Sequence, residues 1–120
     1  MESTYSVIID MKLPSLNEYI DACRGNRYKA AKFKRDLEAS IALFLLPLPR
    51  FETPVRIDFK WIEENRRRDY DNVAFAKKFI LDAMVKCGKL KDDNRRCVKG
   101  FSDSFDYGEK AKVVLSIIEC

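Results

Sequence analysis

Tyr5, Val7, Ile9, Met11 and Leu13 alternate with Ser6, Ile8, Asp10 and Lys12, the period-two pattern of a half-buried strand. Val55, Ile57, Phe59 and Trp61 alternate with Arg56, Asp58 and Lys60 in a second strand that ends at Glu63. Between them, Ala30, Phe33, Leu37, Ile41 and Phe44 recur at helical steps, with Lys29, Lys32 and Asp36 off the apolar stripe. That helix must stop before LPLPRFETP, where Pro47 and Pro49 cannot continue it. A second helix carries Val73, Ala76, Ile80 and Ala83 on its buried stripe. Asp71 or Asn72 is its expected cap, and Gly88, just past Cys87, suits a left-handed C-terminal cap. After KLKDDNRR, the runs CVKGFSDSF and KVVLSIIE read as strands joined around Tyr107-Gly108 in a hairpin. The order βαβαββ predicts an α+β fold, a mixed sheet covered by two helices. With no repeat or long linker, residues 1–120 are expected to form one small domain.

Composition narrows the chemistry. No run approaches the roughly 20 apolar residues of a membrane span, and MESTYSVIID lacks the basic-then-apolar order of a signal peptide. A soluble protein of the cytoplasm is the expectation, with no membrane partner. Cys23, Cys87, Cys97 and Cys120 show no CxxC spacing and read as free thiols of a reducing compartment. Because the chain has no histidine, the usual zinc ligand sets and the commonest neutral-pH general base are both missing. Any hydrolysis would need a tuned carboxylate, a lysine or a metal-bound hydroxide.

The net charge is only +4, but residues 24–35 and 66–99 together hold 17 of the 23 Lys and Arg and only 5 of the 19 Asp and Glu. Such segments on an otherwise acidic chain suggest a face for a polyanion. In the second, NRRRDYDN sets Arg66, Arg67 and Arg68 against Asp69 and Asp71 where the second strand gives way to the second helix. A strand end is a usual place for active-site groups, and residues two apart in extended chain point the same way. Asp92 and Asp93 lie in the loop before the next strand, which could return them to the same region. Clustered carboxylates repel unless a cation neutralises them, and hard oxygen ligands favour Mg²⁺, with Mn²⁺ able to substitute. Lys78 follows Asp71 by seven residues, about 700° of helix, so it returns to nearly the same face, whereas Lys77 is rotated about 100° away.

RRRDYDN, KFILDAM, GKLKDD and the early LPSLNEY together resemble the RusA family of Holliday-junction resolvases, across nearly the whole chain. The resemblance implies that Asp69, Asp71 and Asp93 are catalytic metal-binding carboxylates, with Lys78 as the assisting lysine and Asp92 a further candidate ligand. It also implies a homodimer that cuts four-way DNA junctions symmetrically with Mg²⁺, in a bacterial cytoplasm or encoded by a phage. The expected DNA contacts are Arg66, Arg67, Arg68 and Asn72 of the motif, with Arg27, Lys29 and Lys32 of the first basic segment. Phe75 and Phe79, or the final strand ending IIEC, are the expected interface material. Two other readings compete. One is a DNA-binding protein whose carboxylates are structural; the other is a metal-dependent nucleotidyltransferase, for which no glycine-rich phosphate loop is present.

Overall fold

The computed structural model describes residues 3–120. Two alternating segments become β1 (Thr4–Ile9) and β2 (Val55–Glu63), and the last two strands are β3 (Val98–Tyr107) and β4 (Lys112–Glu119). The sheet is mixed, in the order β1-β4-β2-β3. Its helix-facing side buries Ile9, Ile57, Phe59, Trp61, Leu115 and Ile117, each at most 1% exposed. The fold is α+β, as the order of elements implied.

Among the described residues four helical segments, not two, lie against that face. The unforeseen one, α1 (Leu16–Cys23), starts with a capping box: the Ser15 hydroxyl accepts from the Glu18 amide, and the Glu18 carboxylate accepts from the Ser15 amide. The long helix α2 (Arg27–Leu45) is capped by Asn26, whose side chain accepts from the amides of Tyr28 and Lys29. The second predicted helix divides into α3 (Tyr70–Ala74) and α4 (Lys77–Lys86). At the junction, the amides of Ala76, Lys78 and Phe79 bond three residues back instead of four. Helices α2 and α4 run parallel, clamped by Lys34 to Asp82 and Lys86 to Glu38, each at 3.0 Å. Past Cys87 the chain turns through Gly88 at φ +79°, and the amides of Gly88 and Lys89 return to the carbonyls of Val85 and Met84. This is the glycine-dependent cap that the sequence suggested. No helix of the described residues is long and apolar enough to cross a membrane.

The expected hairpin does not form. β4 pairs antiparallel with both β1 and β2, while among the described residues β3 pairs only with β2, in parallel. The turn at Tyr107-Gly108 therefore passes over the end of β2, where the Gly108 amide donates to the Glu63 carbonyl. Central pairing gives KVVLSIIE two hydrogen-bonded neighbours for its run of apolar residues, which a two-stranded ribbon with polar CVKGFSDSF would not.

Candidate carboxylate site

The direction of β3 decides where the acidic residues fall. In the parallel register Val55 lies opposite Val98 and Glu63 opposite Tyr107. Residues 64–71 leave the Glu63 end of β2, and the loop carrying Asp92 and Asp93 enters β3 at the Val55 end. Eight residue steps of β2 separate these ends, about 26 Å. Within one chain the structure does not bring Asp92 and Asp93 to Asp69 and Asp71, contrary to the expected single cluster. Among the described residues no group of three or more carboxylate, thiol or imidazole side chains comes together to hold a metal ion.

At the first end, Asp69 occupies the N-cap position of α3, where Asp71 or Asn72 had been expected, yet its side chain makes no capping bond. Among the described residues the Asp71 carboxylate accepts only from the adjoining Asn72 amide, at 3.0 Å. Both are exposed, and neither is ion-paired among the described residues. Tyr70, between them, stacks on Phe105 of β3 with ring centroids 4.2 Å apart. That contact fixes the aspartate pair over the outer strand of the sheet.

The three arginines separate into different roles. Arg68 turns inward, its side chain 15% exposed. Its Nε and Nη2 donate to the two oxygens of Glu63 at 2.7 Å, and Nη1 donates to the Leu13 carbonyl at 2.9 Å and to Glu18 at 3.1 Å. The guanidinium so placed has its pKa raised, chiefly by the Glu63 hydrogen bonds. Burial pushes the Glu18 carboxyl up, but hydrogen bonds from Ser15 and Arg68 outweigh it and hold Glu18 below its usual value. Arg68, expected on DNA, instead ties the end of β2 to α1 and the loop before it. Arg66 lies over the Tyr107 ring at 5.0 Å, and Arg67 is exposed. These two remain available to a phosphate. Asn72 sits beside Asp71 in α3, and Arg27, Lys29 and Lys32 are exposed at the start of α2, where Lys32 pairs with Asp36 at 2.9 Å.

Because the helix steps between α3 and α4, Lys78 is not related to Asp71 by the turn of an unbroken helix. Lys78 is 60% exposed and reaches along α4 to Asp82 at 3.5 Å. Lys77 donates to Asp103 of β3 at 2.7 Å and lies over the rings of Phe59 and Phe101 at 5.3 and 5.0 Å. Asp103 also accepts from the Trp61 indole at 2.8 Å. Nothing in the sequence marked Asp103, because its partners follow from β3 lying parallel to β2. The Glu18 contact had a signal in the Ser15/Glu18 capping-box spacing.

At the far end, Asp92 builds its own loop. Its two oxygens accept from the Asp93 amide at 2.7 Å and the Asn94 side chain at 3.1 Å, while Asn94 accepts from the amides of Arg96 and Cys97. The Asp93 side chain is exposed and takes no part in this turn. Of the adjacent pair, Asp93 is the free carboxylate. No family model matches this chain, and no curated protein matches it significantly.

Proposed function

We propose that this protein is a Mg²⁺-dependent endonuclease of the RusA type that cuts four-way DNA junctions as a homodimer. The observation that carries the reading is the state of Asp69 and Asp71. They are exposed carboxylates two residues apart at the start of a helix, unpaired among the described residues although a run of three arginines precedes them. Arg68 is committed to Glu63, so an external cation is the natural partner for the aspartates. The donors are oxygens alone, which fits Mg²⁺. A bound Mg²⁺ would supply Lewis-acid stabilisation of the charge that develops on a phosphodiester, and a more acidic water. Asp69 and Asp71 would hold the ion, Arg66 and Arg67 would draw the phosphate backbone toward it, and Lys78, solvent-facing in the first turn of α4, would stabilise phosphate or leaving-group oxygens.

Two copies are needed for more than symmetric cutting. Since Asp93 lies at the opposite end of the sheet from Asp69 and Asp71, a site that uses all three takes Asp93 from a second copy. Asp92, already employed in its turn, supports the position of Asp93.

The test is complementation on a synthetic four-way junction with Mg²⁺ or Mn²⁺. Asp71→Asn and Asp93→Asn should each abolish cleavage while leaving junction binding intact. Co-expressed as a mixed dimer, they should regain cutting at one site, because one of the two sites then holds both native aspartates. A wild-type protein that binds junctions but cleaves none with either metal is a binding module with structural carboxylates. Cleavage by wild type without recovery in the mixed dimer would place all the essential carboxylates in one chain.

A further inference from the structure

We infer that the aromatic cluster beside Asp69 and Asp71, in which Tyr70 stacks on Phe105 and Tyr107 lies next to them under Arg66, is a stacking platform for an unpaired nucleotide base. The inference rests on the reading above for the enzyme's substrate and deepens it, by naming the feature of a DNA strand that this end of the sheet selects.

The aromatic residues expected to form an interface are inside: Phe79 is 1% exposed, and Phe75 packs against Tyr19 and Phe79. Open aromatic surface lies instead along β3. Phe101, Asp103, Phe105 and Tyr107 alternate onto the helix-facing side of the sheet, opposite Ile57, Phe59, Trp61 and Glu63 of β2. Because β3 is the outer strand, Phe101 and Tyr107 stay 43% and 41% exposed there. Tyr70 reaches across from α3 and stacks on Phe105, with ring centroids 4.2 Å apart and planes 22° apart, yet it stays 58% exposed. One face of its ring is covered and the other is open to solvent. A tyrosine held in this way has lost its rotamer freedom on folding, so stacking a base on it costs little further ordering.

The charges around the rings suit a strand of DNA. Asp103 is paired with Lys77 and Glu63 with Arg68, each at 2.7 Å. Among the described residues, Asp69 and Asp71 are then the unpaired carboxylates beside the cluster, and Arg66, 5.0 Å over the Tyr107 ring, is a cation without a carboxylate partner. An aromatic face flanked by a free arginine holds a single strand by stacking its base and drawing its phosphate. Tyr70 stands between Asp69 and Asp71 in the chain, so a base on its ring sets the phosphates of the same strand beside the carboxylate pair. Paired arms keep their bases stacked on one another, whereas a single strand or an opened branch point has bases free to leave the stack. The arginines attract any phosphate backbone, and the ring selects strands with an unpaired base.

The probes are an oligothymidine of about six nucleotides and an abasic strand of the same length and charge, bound in EDTA and followed by fluorescence anisotropy. The wild-type chain should bind the thymine strand about 5- to 150-fold more tightly, the value of one stacked base. Tyr70→Ala should bring the thymine strand down to the abasic one while leaving abasic binding and the salt dependence as they were, and Tyr70→Trp should restore the difference. Arg66→Ala should weaken both strands and lower the slope of log affinity against log salt by about 0.7. Tyr107→Ala, at an exposed position, should reduce the preference on its own, which keeps the inference open to test if Tyr70→Ala does not fold. Equal binding of the two strands by wild type overturns the inference. So does a Tyr70→Ala chain, folded by circular dichroism, that keeps the full preference or loses affinity for both strands alike, or, where that variant does not fold, a Tyr107→Ala chain that keeps the full preference. A wild-type chain that prefers the thymine strand but cuts no junction with Mg²⁺ or Mn²⁺ sinks the nuclease reading and leaves the platform standing. Junction cutting by a wild-type chain that binds both strands alike does the reverse.

Discussion

Arg68→Ala should be a folding mutation, although the residue sits in the middle of a sequence that looks like a phosphate clamp. The guanidinium donates to two Glu63 oxygens, a backbone carbonyl and Glu18. Its side chain is 15% exposed and that of Glu63 12%, so removal leaves Glu63 a nearly buried carboxylate without a cation. Breaking such a pair from one side costs about 3–5 kcal/mol. Glu18, 54% exposed, adds little because solvent screens it. Against a total stability of about 5–15 kcal/mol, the loss is large. At roughly 4 °C per kcal/mol for a domain of this size, the melting temperature should fall by about 12–20 °C. Arg68→Lys keeps the charge but not the fork, and should recover part of the loss. Thermal melting followed by far-ultraviolet circular dichroism measures both. Melting of Arg68→Ala within a degree or two of wild type, with weakened DNA binding at lower salt sensitivity, would refute the structural role and return Arg68 to the DNA surface.

Arg66→Ala with Arg67→Ala should leave melting unchanged and reduce the slope of log affinity against log salt by up to about 2, since each duplex phosphate contact contributes about 0.9; binding titrations at several salt concentrations read it. Gly88→Ala should destabilise by about 1 kcal/mol in chemical denaturation, because nothing lies within 4 Å of the added carbon and the cost is that of φ +79° alone. Lys78→Ala should lose turnover at unchanged melting, whereas Lys77→Ala, which strips Asp103 of its cation, should lower the melting temperature; the opposite pattern would transfer the assisting role to Lys77. Acidification should loosen the join between α1 and β2. Glu18 has a folded pKa below its usual value near 4.5, so its contribution is present above that value and is lost as pH falls through the folded pKa; amide exchange in residues 15–23 as pH drops through this range checks it.

The elements that declared themselves in the sequence were those whose burial is periodic. β2 alternates from Val55 to Trp61 because one face lies on the core, and the stripe through Val73, Ala76, Ile80 and Ala83 is buried despite the step at residues 75–76. What the pattern did not carry was α1, whose LNEYIDAC includes no fully buried residue. It is held by its capping box and by aromatic contacts of Tyr19 with Phe33, Phe75 and Phe79. The step itself was invisible for the same reason: Val73 and Ala76 stay buried whether the backbone bonds three or four residues back. Arg68 was misread because charge counting treats adjacent arginines as equivalent. Its partners Leu13, Glu18 and Glu63 come from other segments, so its role depends on tertiary contacts.

The site raised a harder problem, one of direction. Strand periodicity tells which residues share a face but not whether two strands run parallel, and a short turn at Tyr107-Gly108 made a hairpin the economical reading. Placing β4 at the centre reverses the consequence. With β4 between β1 and β2, β3 joins the outside of β2 and runs parallel to it. That single topological fact puts the loop carrying Asp93 at the other end of β2 from the DxD pair, two ends about 26 Å apart, forms the Lys77-Asp103-Trp61 contact, and leaves a ten-residue edge open. The same fact makes a second copy necessary if Asp93 is to share a cation with Asp69 and Asp71.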